Sequence, residues 1–103
     1  MKMKLWIDDV RPAPEPDWIW LKSVDATKWF INQNDSYYKY KIELIDIDHD
    51  AGDFYYDGGD FIRVLDWLEE TGRNYPIRIH SMNPVGVANM RAIIEKNGWK
   101  EIR

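Results

Sequence analysis

The pattern that most restricts this chain's fold is a repeated one: short, mainly apolar runs, the first of them unbroken, that end in polar groups. Leu5-Trp6-Ile7 runs into Asp8-Asp9, the segment from Ile42 to Ile47 runs into Asp48-His49-Asp50, and Ile77-Arg78-Ile79 runs into His80-Ser81. Apolar runs of this length, ending in polar groups, read as strands covered on both sides in a parallel sheet. Trp18 to Lys22 reads as a further short strand.

Helical patterns fill the spaces between the later runs. Ser23 or Asp25 is the candidate cap of a first helix, with Ala26, Trp29, Phe30 and Asn34 at helical spacing and the polar stretch Asn32 to Lys41 closing it. Asp57-Gly58-Gly59-Asp60 is a turn that opens a second helix, whose apolar residues are Phe61, Ile62, Val64, Leu65 and Leu68 and which ends near Gly72. Asn83 caps a third, with Pro84 at its first position. Val87, Met90, Ile93 and Ile94 form its buried stripe, Gly98 ends it, and Trp99 to Arg103 offers a short edge strand. Between the first two strands, Arg11 to Asp17 carries Pro12, Pro14 and Pro16, which exclude a regular helix and leave an extended loop over the sheet edge. Strands alternating with helices imply a parallel sheet with helices on its faces, and right-handed crossovers bring every strand's carboxyl end to one edge.

The 103 residues, 45% hydrophobic and 31% charged, suit a single domain, here 1–103. Six Trp, six Tyr and three Phe give a short chain much area to bury. There is no cysteine, so disulfides and thiolate metal sites are excluded. No apolar run approaches the roughly 20 residues of a membrane span, and the start of the chain carries no signal-peptide core, so the expected location is the cytoplasm. A net charge of −4 argues against an extended nucleic-acid-binding surface.

Ligands of open α/β sheets bind at the carboxyl edge. Topology gathers there Asp8, Asp9, Asp48, Asp50, the chain's only two histidines (His49 and His80) and Ser81. Adjacent acids at a buried strand end repel unless a cation lies between them. Asp46 reads as pointing outward from mid-strand, and Asp53, Asp57 and Asp60 as turn and cap residues. Two chemistries fit. The acids suit a hard divalent cation such as Mg²⁺, with phosphate oxygens completing its shell. The imidazoles suit general acid–base work on a phosphodiester. The start of the third helix, with Gly86 permitting close approach, suits an anion.

The arrangement resembles the receiver domains of two-component signalling, with Asp8-Asp9 as the acidic pair, Asp48 in the phosphoacceptor place and Ser81 ending the fourth strand. It departs from them in the histidines at 49 and 80, in the proline loop where a helix is expected, and in lacking the lysine that follows a fifth strand. Leu5 to Pro12, Asp48-His49-Asp50 and the run Ile79 to Met90 resemble more specifically the cyclic-phosphate-processing receiver-like family. That resemblance implies a flavodoxin-like three-layer fold, strand order 2-1-3-4(-5) with helices on both faces, and a phosphoesterase acting on cyclic phosphates such as 2′,3′-cyclic RNA ends or cyclic nucleotides. His49, His80 and Asp48 are then the expected catalytic residues. Asp8, Asp9, Asp48 and Asp50 are the expected cation ligands, and Ser81, Asn83, Gly86, Asn89 and Arg11 the expected phosphate contacts. The expected partner is a phosphate-containing small molecule or RNA end. The alternative is a non-catalytic signalling or ligand-binding module with Asp48 in the phosphoacceptor position. Nothing in the sequence fixes the oligomeric state.

Overall fold

A computed structural model describes residues 2–35 and 41–103. Five strands, β1 (Lys2–Ile7), β2 (Ile19–Leu21), β3 (Lys41–Ile47), β4 (Ile77–Ile79) and β5 (Glu101–Ile102), form one sheet in the order β2-β1-β3-β4-β5. Every pairing is parallel. Three helices connect them: α1 (Val24–Asn34), α2 (Ile62–Glu70) and α3 (Pro84–Asn97), with a 3-10 turn at Gly52–Phe54 after β3. This is the expected receiver-like α/β fold. Part of the polar stretch expected to close the first helix, 36–40, lies outside the described residues. Among the described residues no helix is long and apolar enough to cross a membrane.

The two sheet faces differ. Leu5, Ile7, Ile45, Ile47 and Ile77 are completely buried. They form one cluster with Val24 and Ile31 of α1, Leu65 and Leu68 of α2, and Met90 and Ile94 of α3. The steps β2 to β3, β3 to β4 and β4 to β5 all run the same way across the sheet, and right-handed crossovers therefore put all three helices on one face. The step that runs the other way, β1 to β2, is the proline loop. Among the described residues the second face thus carries no helix, unlike the expected sandwich. The loop and its tryptophans cover it instead: the Trp6 indole N–H donates to the Arg11 carbonyl at 2.7 Å, and Trp6 meets Trp18 edge to face at 5.7 Å.

Local capping fixes the helices that bear on the site. Ser23 is the N-cap of α1: its Oγ accepts the Ala26 N–H at 3.1 Å and donates to Asp57 at 2.6 Å. Trp29, one of the residues at helical spacing, is 64% exposed. Val24, Thr27 and Ile31 form the buried face instead. Thr27 can be buried because its hydroxyl donates to the Ser23 carbonyl. Asn83 and Gly98 cap α3 as expected, Gly98 in the left-handed region at φ 67°. On its inner face Gly86, Met90 and Ile94 are buried, while Val87 and Ile93 are half-buried.

Among the described residues Phe61 is the bulkiest fully buried side chain, and it enters the core just before α2. Phe61→Ala should destabilise the domain by about 3–5 kcal/mol, lowering Tm by on the order of 15–30 °C. Thermal melts followed by circular dichroism check this, and a shift of only a few degrees would contradict the packing described.

Candidate active site

β1 and β3 end side by side, which brings Asp8, Asp9 and Asp48 together: one carboxylate oxygen from each lies within 4.8 Å of the others. Asp8 is the most constrained. One of its oxygens accepts the Val10 and Arg11 N–H groups at 3.0 and 2.8 Å, and the other meets His80 Nε2 at 2.9 Å. Its backbone carbonyl accepts the Trp20 indole N–H at 2.7 Å. Burial alone would raise its carboxyl. The Arg11 and Val10 amides and the His80 ring outweigh that and hold it below the ordinary value. Asp9 goes the other way, raised first by burial and further by the neighbouring Asp8 and Asp48 charges.

The two shifts act on stability with opposite sign. Asp8 contributes stability above the ordinary carboxylate range, and that contribution is lost as pH falls through its lowered value. Asp9 costs stability as pH rises past the ordinary range, because the fold then holds an ionised group it disfavours. A cation between the acids would relieve that cost. Saturating Mg²⁺ should therefore raise Tm at pH 7, and raise it less as pH falls through the carboxylate range and protons compete for the acids. A pH series of melts with and without Mg²⁺ checks this, and a gain independent of pH would contradict it.

His80 does not stand free at its strand end. Its Nδ1 meets Asp46 at 2.6 Å while its Nε2 holds Asp8, and its ring stacks on Trp6 at 3.8 Å with 4° between the planes. Arg78 Nε donates to the other Asp46 oxygen at 2.7 Å. Asp46, expected to point into solvent, is thus 1% exposed. Register explains the correction: Asp46 lies between Trp6 and Arg78 on the face that the proline loop covers. Ionised carboxylates only accept, so both ring nitrogens of His80 donate when Asp8 and Asp46 are ionised. Arg78 pairs with Asp46, whereas among the described residues no basic side chain pairs with Asp9 or Asp48. An all-oxygen donor set with that unpaired negative charge fits a hard divalent cation such as Mg²⁺.

His49 is held differently. Its Nδ1 meets Asp50 at 2.8 Å, and Asn83 Nδ2 steadies the same Asp50 oxygen at 3.3 Å. The His49 hydrogen bond is the main cause of the lowered Asp50 carboxyl. Among the described residues nothing bonds His49 Nε2. The ring abuts the start of α3, where a Cβ on Gly86 would fall 2.4 Å from its Cγ. Asp50 therefore groups with His49 and Asp60 rather than with the other three acids. Asp60 also serves as the expected turn residue, accepting the Ala51 N–H at 3.1 Å.

The remaining candidates are placed as follows. Ser81 Oγ accepts the Asn83 N–H, and Asn83 Oδ1 accepts the Gly86 N–H at 3.0 Å. The Val87 N–H is taken by the Asn83 carbonyl, and Pro84 has none, so the helix start has already committed most of its amides. Asn89 is exposed, and so is Arg11, whose backbone rather than its guanidinium reaches Asp8. The groove lined by Lys28, Arg63, Asp66 and Trp67 shares no lining residue with the two acidic groups.

A family model described as the cyclic-phosphate processing receiver domain matches residues 3–96. No curated protein and no solved structure matches the chain.

Proposed function

Since this chain belongs to the cyclic-phosphate processing receiver family, we propose that it is a phosphoesterase that opens cyclic phosphodiesters with the aid of a divalent cation. Asp8, Asp9 and Asp48 would hold the cation, which when bound supplies positive charge to the phosphate oxygens. The observation that carries the reading is the Asp50–His49 dyad: Nδ1 is oriented by a carboxylate, while Nε2 has no partner among the described residues. With the Nδ1 proton directed at Asp50, Nε2 holds the lone pair. His49 then takes a proton from water as the water oxygen bonds to phosphorus, the P–O bond to one ring oxygen breaks, and solvent protonates that leaving oxygen while His49 releases its proton to solvent. The product is a phosphomonoester. One imidazole thus acts as the general base of the reaction. His80 has both nitrogens engaged and is assigned to holding Asp8.

The rim of the edge favours a nucleotide or RNA end as the substrate. Val10, Tyr55, Tyr56, Met82 and Val85 are among the most exposed large apolar side chains, and each follows a strand end of this edge. The Tyr55 N–H bonds the Gly52 carbonyl, and Gly52 abuts the Asp9 carboxylate. A base can stack on such tyrosines while its phosphate meets the acids and the dyad. Tyr56→Ala should raise KM for a 2′,3′-cyclic nucleotide by about 5- to 100-fold, the worth of one stacked base. KM for a cyclic phosphodiester without a base should not change. Equal effects on both substrates would remove the stacking role.

Intact mass after incubation separates this reading from a phospho-accepting one. Multiple turnover of a 2′,3′-cyclic nucleotide by unmodified protein is expected. No turnover, together with a stable single-phosphate adduct on Asp48 from acetyl phosphate, would favour the signalling module instead.

A further inference from the structure

Asp46 has no part in the chemistry above, yet it is a buried carboxylate that links the second sheet face to the acidic cluster. An unbroken line of contacts runs from Arg78 Nε to Asp46 Oδ2 (2.7 Å), from Asp46 Oδ1 to His80 Nδ1 (2.6 Å), and from His80 Nε2 to Asp8 Oδ2 (2.9 Å). Asp46 and Asp8 are both almost fully buried, whereas the Arg78 side chain is 38% exposed. We infer that Asp46 is a positioning residue for the cation site: by fixing the His80 ring it fixes the Asp8 carboxylate that the cation must use. The inference rests on the cation reading above.

Acceptor accounting shows why that carboxylate needs fixing. Asp8 Oδ1 already accepts two backbone N–H groups, so only Oδ2 can turn a lone pair toward a cation, and Oδ2 also receives His80. The direction of the His80 bond therefore decides which lone pair is left for the cation. A ring held only at Nε2 could swing about that bond. Asp46 at Nδ1 and Trp6 against the ring face remove the swing. Partners that hydrogen-bond a ligand directly, as His80 does Asp8, commonly alter metal affinity by about 10- to 100-fold when removed, and Asp46 sets the position of that partner.

A purely structural Asp46 predicts something different. It would neutralise Arg78 and His80, and its loss would lower Tm without changing the affinity of the folded protein for a cation. The test is Asp46→Asn, which keeps the shape and changes the charge and hydrogen-bonding character. Mn²⁺ binding, read by electron paramagnetic resonance on the folded protein, should weaken by about 10- to 100-fold. Mn²⁺ affinity equal to wild type would overturn the inference while leaving the cation site in place. No Mn²⁺ binding by the wild type would overturn the cation reading and this inference together. If Asp46→Asn does not fold, ring-nitrogen NMR of the wild type decides. The inference expects an Nδ1 proton on His80 that is held at Asp46 and exchanges slowly with water. A bare or rapidly exchanging Nδ1 would overturn it.

Discussion

His49→Ala is expected to reduce kcat on a 2′,3′-cyclic nucleotide by about 10²- to 10⁴-fold, the usual worth of a positioned acid–base group. KM should change little, because the ring is proposed to move a proton rather than to hold substrate. The fold should survive, since the His49 ring lies at the edge against the first turn of α3 and belongs to no part of the apolar cluster. Steady-state kinetics beside a thermal melt measure both. Activity within a few-fold of wild type would remove His49 from the chemistry. Loss of activity with collapse of Tm would make it structural.

The second large effect is expected at Gly86. Alanine is the better helix former by about 1 kcal/mol, so Gly86→Ala would stabilise α3 if the position answered only to helix propensity. The His49 ring forbids that outcome. An added Cβ would fall 2.4 Å from Cγ, 2.6 Å from Cδ2 and 2.9 Å from Nδ1, so either the ring or the helix start must shift. Displacing a catalytic group by about 1 Å can cost on the order of 10²-fold in rate. Gly86→Ala is therefore expected to lose about that much activity without gaining stability. Full activity with a higher Tm would show that the ring does not need this glycine.

What was legible in the sequence was what local rules decide. Asn83-Pro84 and Gly98 bound α3 because capping depends on a few adjacent residues, and the runs ending at Asp8, Asp48 and His80 are strands because a covered parallel strand is mainly apolar where it meets the core. What was not legible depended on distant coverage. Asp46 looks solvated in the sequence, and only the loop laid over Trp6 and the β3–β4 register bury it against His80. Trp29 shares helical spacing with its neighbours, yet the face of α1 that meets the sheet is the one bearing Val24, Thr27 and Ile31. Gly86 reads as room for an anion, whereas the room is taken by a ring from the end of β3. The acids illustrate both cases: Asp8, Asp9 and Asp48 meet because neighbouring strands end together, but past the sheet the chain turns and takes Asp50 to His49 instead.

Phosphorus NMR of a 2′,3′-cyclic nucleotide incubated with the purified protein tests the central claim most directly. With Mg²⁺ present, the cyclic phosphate signal should be replaced by that of a phosphomonoester over many turnovers, and a chelator should stop the conversion. A cyclic phosphate signal that persists unchanged with Mg²⁺ and fully folded protein would contradict the account.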